Sequence, residues 1–197
     1  MSDATRSARA ERRTSETKID LRLTIDGSGA SQIETSIGFF DHMLAAFSKH
    51  GLFDLEVKCD GDLEVDAHHS VEDVGIVLGQ AIAEAVGDKA GIVRFGHSYV
   101  PMDDALARVV VDLSGRPCLA INRSFRGTLG DFPAPLVSEF FRAVSDHGRM
   151  NLHVDLLRGQ DDHHSIEAIF KAFGRALDAA TLRSERIQGV PSTKGSL

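Results

Sequence analysis

Two stretches of this chain repeat one another. Ser48-Lys49-His50-Gly51 recurs as Ser145-Asp146-His147-Gly148 at an offset of 97, and His68-His69-Ser70-Val71-Glu72 recurs as His163-His164-Ser165-Ile166-Glu167 at an offset of 95. The shortfall between the offsets is a deletion that a loop absorbs. Around these anchors the apolar run Phe39, Phe40, Met43, Leu44, Phe47 overlays Leu136, Val137, Phe140, Phe141, Val144 with a slip of about a residue, and Leu55-Glu56-Val57 overlays Leu152-His153-Val154. A duplicated sequence must give each copy the same order of elements. At 197 residues the two copies share one core as pseudo-symmetric halves, since each alone is too short to bury a large one.

Periodicity supplies the elements. Val71, Val74, Leu78, Ala81, Ile82 and Ala85 form one helical stripe over His68–Val86, stopped by Gly87, and Ile166, Ile169, Phe170, Phe173 and Leu177 form its counterpart. Each half carries an earlier amphipathic helix, about Phe40–His50 and Pro135–His147, each read as closed by the following glycine. Alternating or β-branched segments predict strands near Lys18–Ile25, Gln32–Ile37, Phe53–Lys58, Phe95–Val100, Leu106–Leu113, Cys118–Asn122 and Arg149–Leu157. Asp26-Gly27-Ser28-Gly29 reads as the turn of a hairpin between the first two strands. Helices that follow hairpins predict an α+β fold of mixed sheets with helices packed on one face of each sheet. The expected layout is a flexible terminus over 1–13, a first half-repeat over 14–100, a second over 101–190 and a polar tail over 191–197, in one compact unit.

Composition excludes several functions. The 22 basic and 29 acidic residues leave a formal charge of -7, and no stretch concentrates Lys and Arg, so nucleic acid is not an expected partner. The longest apolar run, near Ala105–Leu113, is broken by Arg108 and Asp112, so no membrane span is expected. Arg6, Arg9, Arg12 and Arg13 precede no apolar segment of the kind a secretion signal needs. Cys59 and Cys118 stand far apart outside any CxxC. Reduced thiols and a cytoplasmic location are expected.

The histidines carry the chemistry. On a helix a His-His pair points in directions about 100° apart, so each pair suits two different metal ions better than one. His68 and Glu72 lie four apart and His69 and Glu72 three apart, so either imidazole can share a face with the carboxylate. One His-His pair at a helix start is ordinarily a solvated pair; the same pair with the same Glu at both repeat positions points to metal. Imidazole with carboxylate and no nearby thiolate suits Zn, Fe, Mn or Ni. The repeat adds His42, which maps onto Glu139 at offset 97. His50 and His147 precede glycines at helix ends, where a cation is favoured, and His97 and His153 have no carboxylate at ligand spacing, so all four read as structural. No GxxxxGK[ST], GxGxxG or GxSxG occurs.

Seven segments then resemble the imidazoleglycerol-phosphate dehydratase family from about Arg12 to Leu197: Arg13-Thr14-Ser15-Glu16-Thr17; Gly38-Phe39-Phe40-Asp41-His42-Met43-Leu44; Asp66-Ala67-His68-His69-Ser70-Val71-Glu72-Asp73; Pro101-Met102-Asp103; Asp162-His163-His164 with Glu167; Phe170-Lys171-Ala172; and Pro191-Ser192-Thr193-Lys194-Gly195. The resemblance implies a ribosomal-protein-S5-like duplication and a 24-subunit homo-oligomeric shell, with two Mn2+ ions in each active site between subunits. It implies metal ligands at His42, His68, His69, Glu72, Glu139, His163, His164 and Glu167, with Glu139 standing where relatives carry His. Substrate contacts would fall on Glu16, Arg94, Arg116, Lys171, Ser192, Thr193 and Lys194. Ala45-Ala46 departs from relatives with polar residues there. The implied reaction of histidine biosynthesis converts imidazole glycerol phosphate to imidazole acetol phosphate and water. Its difficulty is a proton on an unactivated carbon, which two electrophilic ions on the imidazole ring would relieve. Of the carboxylates assigned to the catalytic site, Glu72 and Glu167 are taken up by metal, leaving Glu16 as the first choice for acid–base work. A dinuclear metallohydrolase and a metal-storing shell are the rival expectations.

Overall fold

The computed structural model describes residues 5–197. The first half runs β1 (Ser7–Arg13), β2 (Thr17–Thr24), β3 (Ser31–Glu34), α1 (Gly38–Gly51), β4 (Asp54–Gly61) and α2 (His68–Val86). The second runs β5 (Phe95–Met102), β6 (Ala105–Asp112), β7 (Cys118–Ile121), the small hairpin β8 (Thr128–Leu129) and β9 (Phe132–Pro133), α3 (Leu136–Gly148), β10 (Asn151–Arg158) and α4 (Asp162–Thr181). The strands pair in the orders β1-β2-β4-β3 and β5-β6-β10-β7. In both sheets only the last pair, β3 with β4 and β7 with β10, is parallel. The duplicated α+β architecture with mixed sheets is therefore the one the repeat predicts.

Alternation sets the buried face of each sheet. Ile19, Leu21 and Leu23 of β2 point inward, as do Ala107, Val109 and Val111 of β6, while the residues between them face outward. Against these faces lie α2, on β1 and β2, and α4, on β5 and β6. The halves then join helix to helix and crosswise, α1 on α4 and α2 on α3. Phenylalanines fill the join: Phe47 stacks on Phe173 at 5.0 Å and Phe40 meets Phe140 edge to face at 5.4 Å between ring centroids, all fully buried.

The crossings require glycine. A Cβ on Gly174 of α4 would lie 2.4 Å from the Phe47 carbonyl oxygen of α1, and one on Gly79 of α2 would lie 2.7 Å from the Gly148 nitrogen of α3. This corrects the reading of Gly51 and Gly148 as helix caps. Both are the last helical residues, and the left-handed cap positions are Leu52 (φ 57°) and Arg149 (φ 49°). A Cβ on Gly51 would meet the Phe53 ring at 2.4 Å and the Gly174 carbonyl of α4 at 2.9 Å, whereas one on Gly148 would meet only the end of the Met150 side chain closely, at 2.4 Å.

Three further expectations change. Ser7–Arg13, read as part of a flexible terminus over 1–13, forms β1 and pairs with β2 along its whole length; residues 1–4 of that expectation lie outside the described residues. The turn at Asp26–Gly29 does not make a hairpin, because β4 takes the place beside β2 and β3 runs parallel to β4 on its far side. The strand beginning at Phe95 belongs to the second sheet, so the sheets part before that residue and not at 100/101. A remote partner decides the second of these, whereas the first and third follow from hairpins with the next strand, β1 with β2 and β5 with β6.

Candidate active site

The α1–α4 crossing builds one centre. In the first turn of α1, the Asp41 carboxylate accepts from the backbone N–H of Thr35 at 3.0 Å and from its hydroxyl at 2.5 Å, tying the chain that enters the helix to the turn that carries His42. Before α4, the Asp161 side chain caps the helix by accepting from the His164 N–H at 3.0 Å. The first turn of α4 then puts His163 and Glu167 on one face. His42 Nε2 lies 3.3 Å and His163 Nε2 3.2 Å from Glu167 Oε2. All three candidate ligand atoms fall within 4.8 Å of one another. Burial would raise the Glu167 carboxyl, but Lys171, whose Nζ sits 2.7 Å from Oε1, and His42 together hold it below its ordinary value. An ionised carboxylate with two imidazole nitrogens is a donor set that fits a divalent transition metal.

The other half builds only part of a counterpart. Asp66 accepts from the His68 N–H at 2.7 Å, and His68 Nε2 lies 3.7 Å from Glu72 Oε2. Glu139 on α3 occupies the repeat position of His42, yet its carboxylate approaches Arg142 at 3.8 Å. The His42–His163–Glu167 group is the one such convergence among the described residues.

The second histidine of each pair turns to another side, where the sequence reading missed its partner. His69 Nδ1 lies 3.1 Å from both Asp62 oxygens, and His164 Nδ1 2.8 Å from Asp104. A carboxylate only accepts, so in the neutral ring Nδ1 carries the proton and Nε2 is left as the donor atom. These bonds raise the pKa of each imidazole above the ordinary histidine value. Glu16, in the β1–β2 turn, brings Oε1 within 3.9 Å of His69 Nε2, and Asp103 comes within 3.5 Å of His164 Nε2. Asp62 and Asp104 sit in loops without periodicity; only the neighbouring Asp103 stood in a recognised segment.

The remaining predicted contacts gather elsewhere. Arg94, Arg116, Ser192, Thr193 and Lys194 line an open basin of about 500 Å³. The Arg94 guanidinium is braced by Asp112 at 2.7 and 3.1 Å and donates to the Pro191 carbonyl at 2.9 Å, holding the tail. The Arg94 backbone N–H bonds the Ala180 carbonyl at 2.8 Å, near the C-terminal end of α4. At 1.5 Å per residue that end lies about 25 Å along the axis from His163. Lys171 belongs with Glu167 and not with this basin, because the two are four apart on α4.

A duplicated α+β scaffold with imidazoles and carboxylates at two repeat-related helix starts, and a separate basic basin, is the build of an enzyme for a small anionic substrate. A model of the family "Imidazoleglycerol-phosphate dehydratase" matches residues 35–177. The imidazoleglycerol-phosphate dehydratase of Acetivibrio thermocellus is 58% identical over 193 residues, covering 98% of this chain and 99% of its own. That of Vesicomyosocius okutanii is 54% identical over 190 residues, with 96% and 99% covered. The crystal structure of the Staphylococcus aureus enzyme superposes with a TM-score of 0.81 at 44% identity, covering 90% of this chain and 99% of that one. The Pyrococcus furiosus structure, in complex with (S)-C348, gives 0.82 at 37%, covering 95% and 99%. The chain belongs to the imidazoleglycerol-phosphate dehydratase family and is a hydro-lyase of histidine biosynthesis.

Proposed function

We propose that this chain removes water from imidazole glycerol phosphate in a manganese-dependent reaction, giving imidazole acetol phosphate. The observation that carries the metal dependence is the His42–His163–Glu167 convergence, in which three donor atoms face one point. His68 and Glu72, with Glu139 from α3, are the proposed ligands of a second ion, and His69 and His164 contribute their free Nε2 atoms. Held by these residues, the ions would supply electrophilic charge to the imidazole of the substrate. Glu16 moves the proton at the reacting carbons or the departing hydroxyl, since Glu72 and Glu167 serve the ions. Arg94, Arg116, Ser192, Thr193 and Lys194 bind the phosphate, and Lys171, apart from that basin, keeps Glu167 ionised.

The same reading requires more than one chain. The imidazole and phosphate of this substrate are joined by a three-carbon chain, whereas the imidazole cluster and the basic basin of one chain stand about 25 Å apart along α4. A site that grips both ends is completed by another copy. This supports a homo-oligomer, proposed as a cytoplasmic 24-subunit shell with sites between subunits. No helix among the described residues is long and apolar enough to cross a membrane.

Metal analysis of manganese-saturated protein beside an assay on imidazole glycerol phosphate tests the proposal. About two ions per chain and turnover of this substrate are expected. One ion or none would overturn the two-site reading. Release of inorganic phosphate from esters would favour a hydrolase, and metal without turnover a storage shell.

A further inference from the structure

One buried carboxylate has no part in the ligand set above. Asp73 lies on α2 one turn beyond His69, with its side chain 7% exposed. It accepts the Thr17 hydroxyl at 2.5 Å and pairs with Arg12 Nε at 2.8 Å. Both partners frame the β1–β2 turn. Inside that turn Thr14 Oγ1 accepts from the N–H groups of Glu16 (3.1 Å) and Thr17 (2.9 Å), the Thr14 N–H donates to the Thr17 carbonyl (2.9 Å), and the Glu16 carbonyl accepts from the Asp62 N–H (3.1 Å). Asp73 therefore grips the two strands just where they flank Glu16.

The other half of the repeat shows what this grip is for. Thr17 opens β2 as Ala105 opens β6. The two share one environment: Ser70 and Thr17 crowd Gly61, and Ser165 and Ala105 crowd Gly159. At offset 95, Asp73 maps onto Ala168. The polar pair Thr17–Asp73 thus stands where the second half has two buried alanines. The residues that precede these strands differ in step. Asp104, ahead of β6, bonds His164 directly and accepts the N–H groups of Gln160 at 2.6 Å and Asp161 at 3.1 Å. Glu16, ahead of β2, stands half-exposed 3.9 Å from His69. The half in which the residue just ahead of the strand stands off its imidazole, at 3.9 Å for Glu16 against 2.8 Å for Asp104, is the half whose turn is anchored from beneath by a buried carboxylate.

We infer that Asp73 is a positioning residue for Glu16, fixing the β1–β2 turn through Thr17 and Arg12 so that the Glu16 carboxylate meets the reacting atoms. The inference rests on the reading of Glu16 as the acid–base group. Burial of an ion pair costs desolvation, so such a pair is a poor device for stability alone. A shift of about 1 Å in a catalytic group can cost about 100-fold in rate.

The test is steady-state kinetics on the manganese-loaded oligomer carrying Thr17→Val, Thr17→Ser, Asp73→Asn, Glu16→Gln and Thr17→Val with Glu16→Gln. Thr17→Val and Asp73→Asn are expected to lower kcat about tenfold with KM within about twofold, at parental metal content, while Thr17→Ser restores kcat. In the Glu16→Gln background Thr17→Val should cause no further loss, since it acts through a group already removed. Equal losses in both backgrounds, or a parental kcat for Thr17→Val, would overturn the inference alone. A parental kcat for Glu16→Gln would overturn the reading of Glu16, and the inference with it. Should Asp73→Asn fail to fold, the Thr17 pair of variants decides the matter, because Thr17→Val leaves the Asp73–Arg12 pair in place.

Discussion

At the scale of the residue, the two histidines of each pair have different jobs. His163 shares Glu167 with His42, whereas His164 is bound at Nδ1 by Asp104; His68 faces Glu72, whereas His69 is bound by Asp62. The proposed roles of His69 and His164 predict that His69→Ala and His164→Ala each abolish dehydration. His153→Ala, on the outward face of β10, should leave it largely intact. Equal damage at His153, measured as kcat/KM, would disprove the ligand assignment. The bonds to Asp62 and Asp104 favour the protonated rings and so hold protons to higher pH than an ordinary histidine. Metal needs the neutral ring, so manganese affinity should weaken as pH falls, starting above the usual histidine value of about 6.5. Asp62→Asn keeps an acceptor but removes the charge that favours the protonated His69, and a titration of manganese binding against pH should then show onset at lower pH.

At the scale of the element, the four helices are placed by where their backbones can approach. The α1–α4 crossing sets His42 over Glu167, and it depends on Gly174 lying against the Phe47 carbonyl. A methyl group there meets backbone, which cannot step aside as a side chain can. Gly174→Ala should destabilise the fold by about 1–3 kcal/mol in denaturant unfolding, the usual range for overpacking. It should also weaken metal binding, because His42 and Glu167 ride on the two displaced helices. Gly38→Ala is the control: it begins α1 with nothing within 4 Å of its added carbon. There the same change should be neutral or stabilise by about 0.4–1 kcal/mol. Equal losses at the two positions would show that the crossing does not set the geometry.

At the scale of the whole molecule, metal and assembly should be linked. If ions join ligands from different chains, part of their binding free energy is assembly free energy. The separation between imidazole cluster and basic basin gives the same reason for a multi-chain site. Exhaustive chelation should therefore shift the particle to a smaller species and stop turnover, and manganese should restore both. Light scattering that finds an unchanged particle after complete metal removal would show that protein contacts alone hold it.

The repeat and its periodicities were enough to predict the duplicated α+β fold, all four helices and the His/Glu residues, because each of these is a local pattern. Helix stripes recur every three or four residues, and a His-x-x-x-Glu face needs only one turn of helix. What lay outside that range was decided by which separate segments pair or pack, near or far along the chain. Residues 7–13 carry no pattern strong enough to announce β1, yet β2 offers them a full ladder of partners. Gly51 reads as a cap until the Phe53 ring and the Gly174 carbonyl of α4 show why no Cβ fits there. Glu139 matches His42 by repeat position, and only the fold shows Arg142 beside it at 3.8 Å. Asp62, Asp104 and Asp73 are ordinary acidic residues in sequence, and they gain meaning only because folding brings an imidazole or a buried hydroxyl within hydrogen-bonding distance. The sequence determined which groups each helix presents, since that follows from spacing along one chain; tertiary structure decided which groups meet, since that depends on how closely backbones far apart in sequence can pack.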